Sequence, residues 1–179
     1  MNLFMLRHAS AGTGTTDPEA DRKRPLDKEG VRHCLQLAQA LKSMKIVFDL
    51  IVSSPLKRSL QTATLVATET GYKSRVLQSD SLAPEAALKD FRKLLDQYRD
   101  RDSVLVVGHN PSLTVFVGAL IARASASPAR IRLRKGSLAK LNFTQSATTL
   151  QYVLEPRIVR SFYAVPAKAT ASKSRRGKH

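Results

Sequence analysis

Two short, uninterrupted apolar runs in this 179-residue chain each end on a histidine. Leu3-Phe4-Met5-Leu6 leads into Arg7-His8, and Val104-Leu105-Val106-Val107-Gly108 leads into His109, followed at once by Asn110-Pro111. Runs this short, bounded by polar residues, read as buried strands rather than helices. In open α/β sheets ligands sit beyond the carboxyl ends of parallel strands, so two histidines arriving there from separate strands could face one ligand. A third run, Ile51-Val52-Ser53-Ser54, is followed by Pro55-Leu56-Lys57-Arg58 and places a guanidinium just past its end. His8, Arg7, Arg58 and His109 together describe an anion site suited to phosphate. Strict alternation along a strand would send Arg7 and His8 to opposite faces, so a shared site requires the chain to leave the strand at His8.

Between these runs the pattern alternates. A strand over Asn2–Arg7 gives way to a loop from His8 to Asp27 that holds Gly12, Gly14, Pro18 and Pro25 and is expected to be irregular. Asp27 caps a helix running to Met44 with Val31, Leu35, Leu37, Ala38 and Leu41 on its apolar face. Asp49–Ser53 is the second strand; Ser54 and Pro55 are expected to open a helix that ends at Gly71. Ser74–Gln78 is a weaker strand, Pro84–Tyr98 a helix, and Ser103–Gly108 the clearest buried strand. Asn110 and Pro111 repeat the cap-plus-proline arrangement and open a helix to Arg123. Ile131–Leu133, Ser137–Phe143 and Thr149–Leu154 read as two or three late strands, the last pair a hairpin. The expected fold is a three-layer α/β/α sandwich with a mixed, mainly parallel central sheet.

The chain is long enough for one domain with a real core. We place that domain at residues 1–160 and read 161–179 as a basic, disordered tail, since it contains five Lys and Arg residues and no acid. The tail accounts for only part of a net charge of +16. That excess favours an acidic partner or substrate. Specific nucleic-acid recognition is disfavoured without being excluded, because the body lacks a zinc finger, an aromatic RNA-binding signature or a convincing helix-turn-helix. The single cysteine, Cys34, rules out an intrachain disulfide and fits a reducing cytoplasm; it falls near apolar helix positions and reads as a buried structural thiol. No signal segment and no stretch long enough to span a bilayer is visible, so no membrane partner is expected.

Phosphoryl transfer spreads negative charge over the equatorial oxygens, and the protein's task is positioning and electrostatic stabilisation. Arginine suits it through a planar fork that stays charged at any working pH. A neutral imidazole can attack phosphorus and leave again, so one histidine could carry the phosphoryl group. No metal motif and no cofactor is required. A plainer reading stands beside each residue: Arg7-His8 as a surface pair, His109 bonded to a buried carbonyl, Arg58 paired with Glu69 or Asp49, Asn110 as a helix cap.

Taken together, the motifs resemble the histidine phosphatase superfamily, whose fold is phosphoglycerate mutase-like. Leu6-Arg7-His8-Ala9 is similar to its N-terminal Arg-His-Gly motif with Ala in place of Gly; Ser53 through Thr62 is similar to its second motif and Val107-Gly108-His109-Asn110-Pro111 to its third. Short length, Ala9, and Arg24-Pro25-Leu26 followed by Gly30 point to the small phosphohistidine phosphatases of the SixA type. The resemblance implies that His8 is the nucleophile and that Arg7, Arg58 and His109 hold the phosphoryl oxygens. Arg24 and Glu85 are candidate substrate contacts, Arg24 in the loop over the site and Glu85 in the region where many ester-cleaving relatives carry a general acid. Asp80-Ser81-Leu82-Ala83-Pro84-Glu85 has no clear match to that motif, and Glu85 fits the first turn of the following helix more simply. A phosphohistidine leaving group needs no such acid near neutral pH. The expected function is therefore hydrolysis of protein phosphohistidine, for instance on a histidine phosphotransfer domain. A small-molecule phosphomonoesterase and a phosphate-recognition module without turnover are the alternatives.

Overall fold

Alternation within the central strands divides the core into two. The computed structural model of the chain describes residues 1–122, 129–144 and 147–163. In β1 (Asn2–Arg7), Leu3 and Met5 face one side and Phe4 and Leu6 the other; in β4 (Ser103–Gly108), Val104 and Val106 join the first set and Leu105 and Val107 the second. On the first side lie α4 (Leu88–Gln97), through Phe91, Leu94 and Leu95, and α5 (Ser112–Ala122), through Leu113, Phe116 and Val117. Phe91 and Phe116 stack with ring centroids 4.6 Å apart. On the second side lie α2 (Lys28–Ser43), through Leu37 and Leu41, α3 (Lys57–Thr70), through Ala63, Val66 and Ala67, and α6 (Pro156–Ser161), through Val159. Both faces are covered because both faces of these strands are apolar.

With β2 (Leu50–Ser53), β3 (Leu77–Gln78), β5 (Leu138–Phe143) and β6 (Thr148–Leu154), the sheet order is β3-β2-β4-β1-β5-β6. The first four strands run parallel; β5 pairs antiparallel with β1, and β6 with β5. This is the expected three-layer sandwich with a mixed sheet. No helix among the described residues is long and apolar enough to cross a membrane.

Several local expectations are corrected. The loop after His8 contains a short helix, α1 (Pro18–Lys23), started by Pro18 in its first turn and by the Asp17 carboxylate accepting the Glu19 N–H. In α2 the buried stripe is Gly30, Cys34, Leu37, Ala38 and Leu41, which leaves Val31 and Leu35 exposed. α3 begins at Lys57 without a side-chain cap, because its cap position is Leu56 and Ser54 stands two residues earlier. The third strand has two residues rather than five, and the helix expected over Pro84–Tyr98 is found but starts only at Leu88. A 3-10 turn at Asp80–Leu82 precedes it, so Glu85 lies exposed in a turn outside α4. Asn110 does not cap α5; its amide donates to the Leu133 carbonyl at 3.0 Å across a cis Asn110–Pro111 peptide, while Ser112 Oγ donates to the His109 carbonyl. Ile131–Leu133 forms no strand, and α6 was not anticipated. The tail expected from residue 161 has its first three residues at the end of α6; the rest lies outside the described residues.

The cap at Asp27 is as expected, with its carboxylate accepting the Gly30 N–H at 2.7 Å, and the same side chain accepts from Ser10 Oγ and the Gly12 N–H. α2 thereby grips the segment that follows His8. Gly30 makes the grip possible, since a Cβ there would stand 2.0 Å from the Ser10 carbonyl oxygen. Gly30→Ala is expected to destabilise the fold by about 3 kcal/mol, as overpacking against backbone does; an unchanged urea midpoint would show that α2 is not seated on Ser10.

Candidate active site

The three central strands release the chain at one edge. The His8 N–H donates to the Gly108 carbonyl at 3.0 Å, and the Ser54 N–H to the Val107 carbonyl at 2.9 Å, so the ends of β1, β4 and β2 are level. The chain leaves β1 at His8, as a shared site requires, and the His8 and His109 rings come to rest with centroids 4.9 Å apart. Both rings are buried, as is Arg58 in the first turn of α3.

His8 Nδ1 lies 2.8 Å from the Ala9 carbonyl oxygen. A carbonyl only accepts, so Nδ1 carries the proton and Nε2 keeps its lone pair. The Ala9 N–H in turn donates to Thr62 Oγ1, whose hydroxyl donates to the Arg58 carbonyl, one turn earlier in α3. Burial, reinforced by Arg58, Arg7 and Lys135 and opposed by the Ala9 bond, pushes the His8 pKa down to about 4. His109 Nε2 sits 2.8 Å from Ser54 Oγ, which also accepts the Leu56 N–H. Which of the two donates follows the imidazole tautomer: where the hydroxyl donates to Nε2, Nδ1 bears the proton and is a donor. Burial first, then His8, Arg58 and Arg7, push the His109 pKa down to about 3. Ser54, which its sequence position suggested would open a helix, instead holds the His109 ring.

Three buried nitrogens around these rings have no partner among the described residues: Arg7 Nε, Arg58 Nε and His109 Nδ1. Arg7 anchors its other end by Nη1 to the Leu133 carbonyl at 2.9 Å. Arg58 Nη1 donates to the Asp21 carbonyl and lies 3.0 Å from Asp21 Oδ2. Asp21, on α1, also receives Arg24 Nε at 2.9 Å. Burial opposes its ionisation, but Arg24 and Arg58 together hold the Asp21 carboxyl below the usual range. Burial lowers both guanidinium pKa values, yet the groups remain cationic at any working pH. Orphaned buried donors are costly, and an acceptor-rich anion would satisfy the two guanidinium Nε–H groups, and His109 Nδ1 in the tautomer that protonates it.

The structure thus brings His8, Arg7, Arg58 and His109 together. Arg24 sits behind Arg58, bonded to Asp21 and to the Ala11 and Gly12 carbonyls rather than turned to the two rings. Among the described residues no hydrogen bond or ion pair links Glu85 to the four. Asp21 went unrecognised in the sequence; its signal was the Asp17-Pro18 helix start followed by Asp21 and Arg24 three residues apart. Cys34 is buried and its thiol is pushed up to about 12, mainly by burial, as suits a packing residue. No group of three or more His, Cys, Asp or Glu side chains among the described residues is placed to hold a metal ion.

Residues 3–83 match the model of the histidine phosphatase superfamily (branch 1). An uncharacterized protein of Picosynechococcus is 36% identical over 123 residues, which span 67% of this chain and 73% of that protein. Among solved structures, the protein histidine phosphatase SixA complexed with tungstate superposes with a TM-score of 0.76 at 23% identity, over 88% of this chain and 98% of that one. A phosphoglycerate mutase from Bacillus anthracis gives 0.68 at 14% identity, over 92% and 97%. At these identities the likeness to both structures is one of fold, a fold that carries more than one activity.

Both histidines are buried neutral, and their folded-state pKa values of about 4 and about 3 lie below the ordinary 6.5. As pH falls below 6.5 the unfolded chain binds protons that the folded chain refuses, so stability present above 6.5 is lost down through those lower values. A His8→Gln/His109→Gln variant should therefore lose less stability than wild type between about pH 7 and about pH 4.5 in urea titrations. Equal losses would contradict the assigned neutral state.

Proposed function

The chain belongs to the histidine phosphatase superfamily and is a phosphatase of SixA-like fold, and we propose that it hydrolyses phosphohistidine in a protein without a metal, through phosphorylated His8. The observation that carries this reading is the set of three unpartnered buried nitrogens, two of them guanidinium donors, around a neutral imidazole whose Nδ1 is held by the Ala9 carbonyl. In the first step the Nε2 lone pair attacks phosphorus, the new P–N bond forms, and the bond to the substrate imidazole breaks with its electron pair returning to that ring. Arg7, Arg58 and His109 meet the charge on the equatorial oxygens throughout. Water then attacks the same phosphorus from the vacated side, the P–Nε2 bond breaks, and orthophosphate leaves with His8 neutral again.

The leaving group follows from the carboxylates. An ester oxygen needs a proton as it departs, and general acids of this kind contribute about 100-fold or more. Asp21 is held ionised between two guanidiniums and is a poor donor near neutral pH, while Glu85 stands exposed in its turn. A phosphohistidine ring departs as a neutral imidazole when its other nitrogen is already protonated, which needs no donor from the enzyme. A cytoplasmic setting is part of the same proposal, supported by a lone cysteine, Cys34, that leaves no intrachain disulfide to form.

The test compares steady-state release of phosphate from phosphohistidine and from an alkyl phosphate such as phosphoserine. The expected kcat/KM ratio is at least about 100 in favour of the N–P bond, the size of the missing acid contribution. Equal turnover, with a bell-shaped pH profile on the ester, would assign the chain to phosphomonoesters.

A further inference from the structure

The two flanks of the phosphoryl site differ. On the α1 side, Asp21, Arg24 and Arg58 close on one another in ion pairs of 2.8 and 3.0 Å. On the other side a groove of about 400 Å3 opens beside Arg7, walled by α2, the turn before β5, and α6. The turn is tied to the site by its backbone: the Gly136 N–H donates to the Arg7 and His8 carbonyls, both at 3.0 Å. Gly136 adopts a positive φ of 79°, and a Cβ there would stand 3.1 Å from Pro156 Cγ. The tight turn therefore lodges between the end of β1 and the start of α6, and brings Lys135 close enough to influence His8.

Charge in the groove is unbalanced. Among the described residues Arg7, Arg134, Lys135, Arg157 and Arg160 line it, against a single lining carboxylate, Glu29, which lies 3.6 Å from His33 and 3.8 Å from Arg32. Glu155 pairs with Arg157 at 3.1 Å and Arg134 at 3.8 Å. Lys135 and Arg160 are exposed on the same surface, outside these pairs.

We infer that this groove docks an acidic segment of the phosphorylated protein, with carboxylates beside the phosphohistidine seated against Lys135, Arg157 and Arg160 while Arg7 holds the phosphoryl group. The inference rests on the phosphohistidine reading and adds what surrounds the phosphorylated residue. Three observations favour a carboxylate-bearing protein surface. The cations are presented by exposed side chains along an open wall, where a small bisphosphate would need enclosure to be gripped. Glu29 and Glu155 interrupt the basic field, which suits a patterned partner and repels an evenly charged polyanion. Among the described residues no Phe, Tyr or Trp lines the groove to stack a base. Docking here places the partner on the open flank and the sealed α1 flank behind the phosphoryl group.

The experiment uses the full chain and two synthetic phosphohistidine peptides, one flanked by glutamates and one by glutamines, at low salt. The expected preference in kcat/KM is about tenfold for the glutamate peptide, the effect of one good charge contact. It should fall to near unity in R157E/R160E and at high salt, and persist in R157K/R160K, which keeps the charge. Binding of the unphosphorylated glutamate peptide, read by fluorescence anisotropy, should follow the same order and does not depend on turnover. Equal kcat/KM for the two peptides would overturn the docking surface and leave the phosphatase reading intact. Binding lost on charge reversal in a chain that turns over neither peptide would support the surface and remove the phosphohistidine reading. Charge-dependent binding of a single-stranded oligonucleotide in place of the peptide would give the groove to nucleic acid and overturn the inference.

Discussion

Arg7 stands opposite Gly108 in the parallel ladder between β1 and β4, and one residue later the His8 N–H closes the ladder on the Gly108 carbonyl. Because the pair is parallel, both strands release the chain at the same edge, and the two histidines leave it side by side. The neighbouring pairing of Ser53 with Val107 levels β2 with them, which delivers Ser54 to His109 and starts α3 where Arg58 is needed. Register carries the chemistry, since a slip of one residue would exchange the apolar sets of the two faces and displace the histidines. The apolar alternation of β1 and β4 thus holds the core and aligns the site by the same means.

The proposed nucleophile, His8, is kept neutral among cations. Burial, with Arg7 and Arg58 nearby, disfavours protonation of either ring, so the Nε2 lone pair of His8 is available near neutral pH. The Ala9 carbonyl fixes which nitrogen is free. Asp21 supplies the counter-charge for an almost fully buried Arg58, and Arg24 braces Asp21 from the other side. Holding Asp21 ionised has a chemical consequence: the carboxylate bonded to Arg58 is not a proton donor, which narrows the leaving groups that the site can release.

Much of this was legible in the sequence because it lives in short, strongly patterned stretches. Apolar runs ending in Arg7-His8 and His109 announce buried parallel strands with a site at their ends, and the Asp27 cap was readable from its position before a helical stripe. What was not legible depends on partners distant in the chain. Ser54 and Asn110 look like helix caps locally; their side chains instead bond His109 and the Leu133 carbonyl, and tertiary contact overrides the local preference. The stripe on α2 differs at Val31 and Leu35, apolar residues that stay exposed while Gly30, Cys34, Leu37, Ala38 and Leu41 turn inward; composition alone does not say which apolar neighbours face the sheet. Asp21 was hidden because its role exists only where α1 folds back over α3.

The central claim is that His8 Nε2 takes the phosphoryl group. Intact-protein mass spectrometry after brief reaction with phosphoramidate in EDTA tests it most directly, comparing wild type with His8→Ala. The account predicts a phosphoryl adduct on wild type that is acid-labile and alkali-stable, decays with release of phosphate, and is absent from the variant. A folded wild-type protein that forms no adduct and releases no phosphate, or an adduct that survives the His8→Ala substitution, would contradict it.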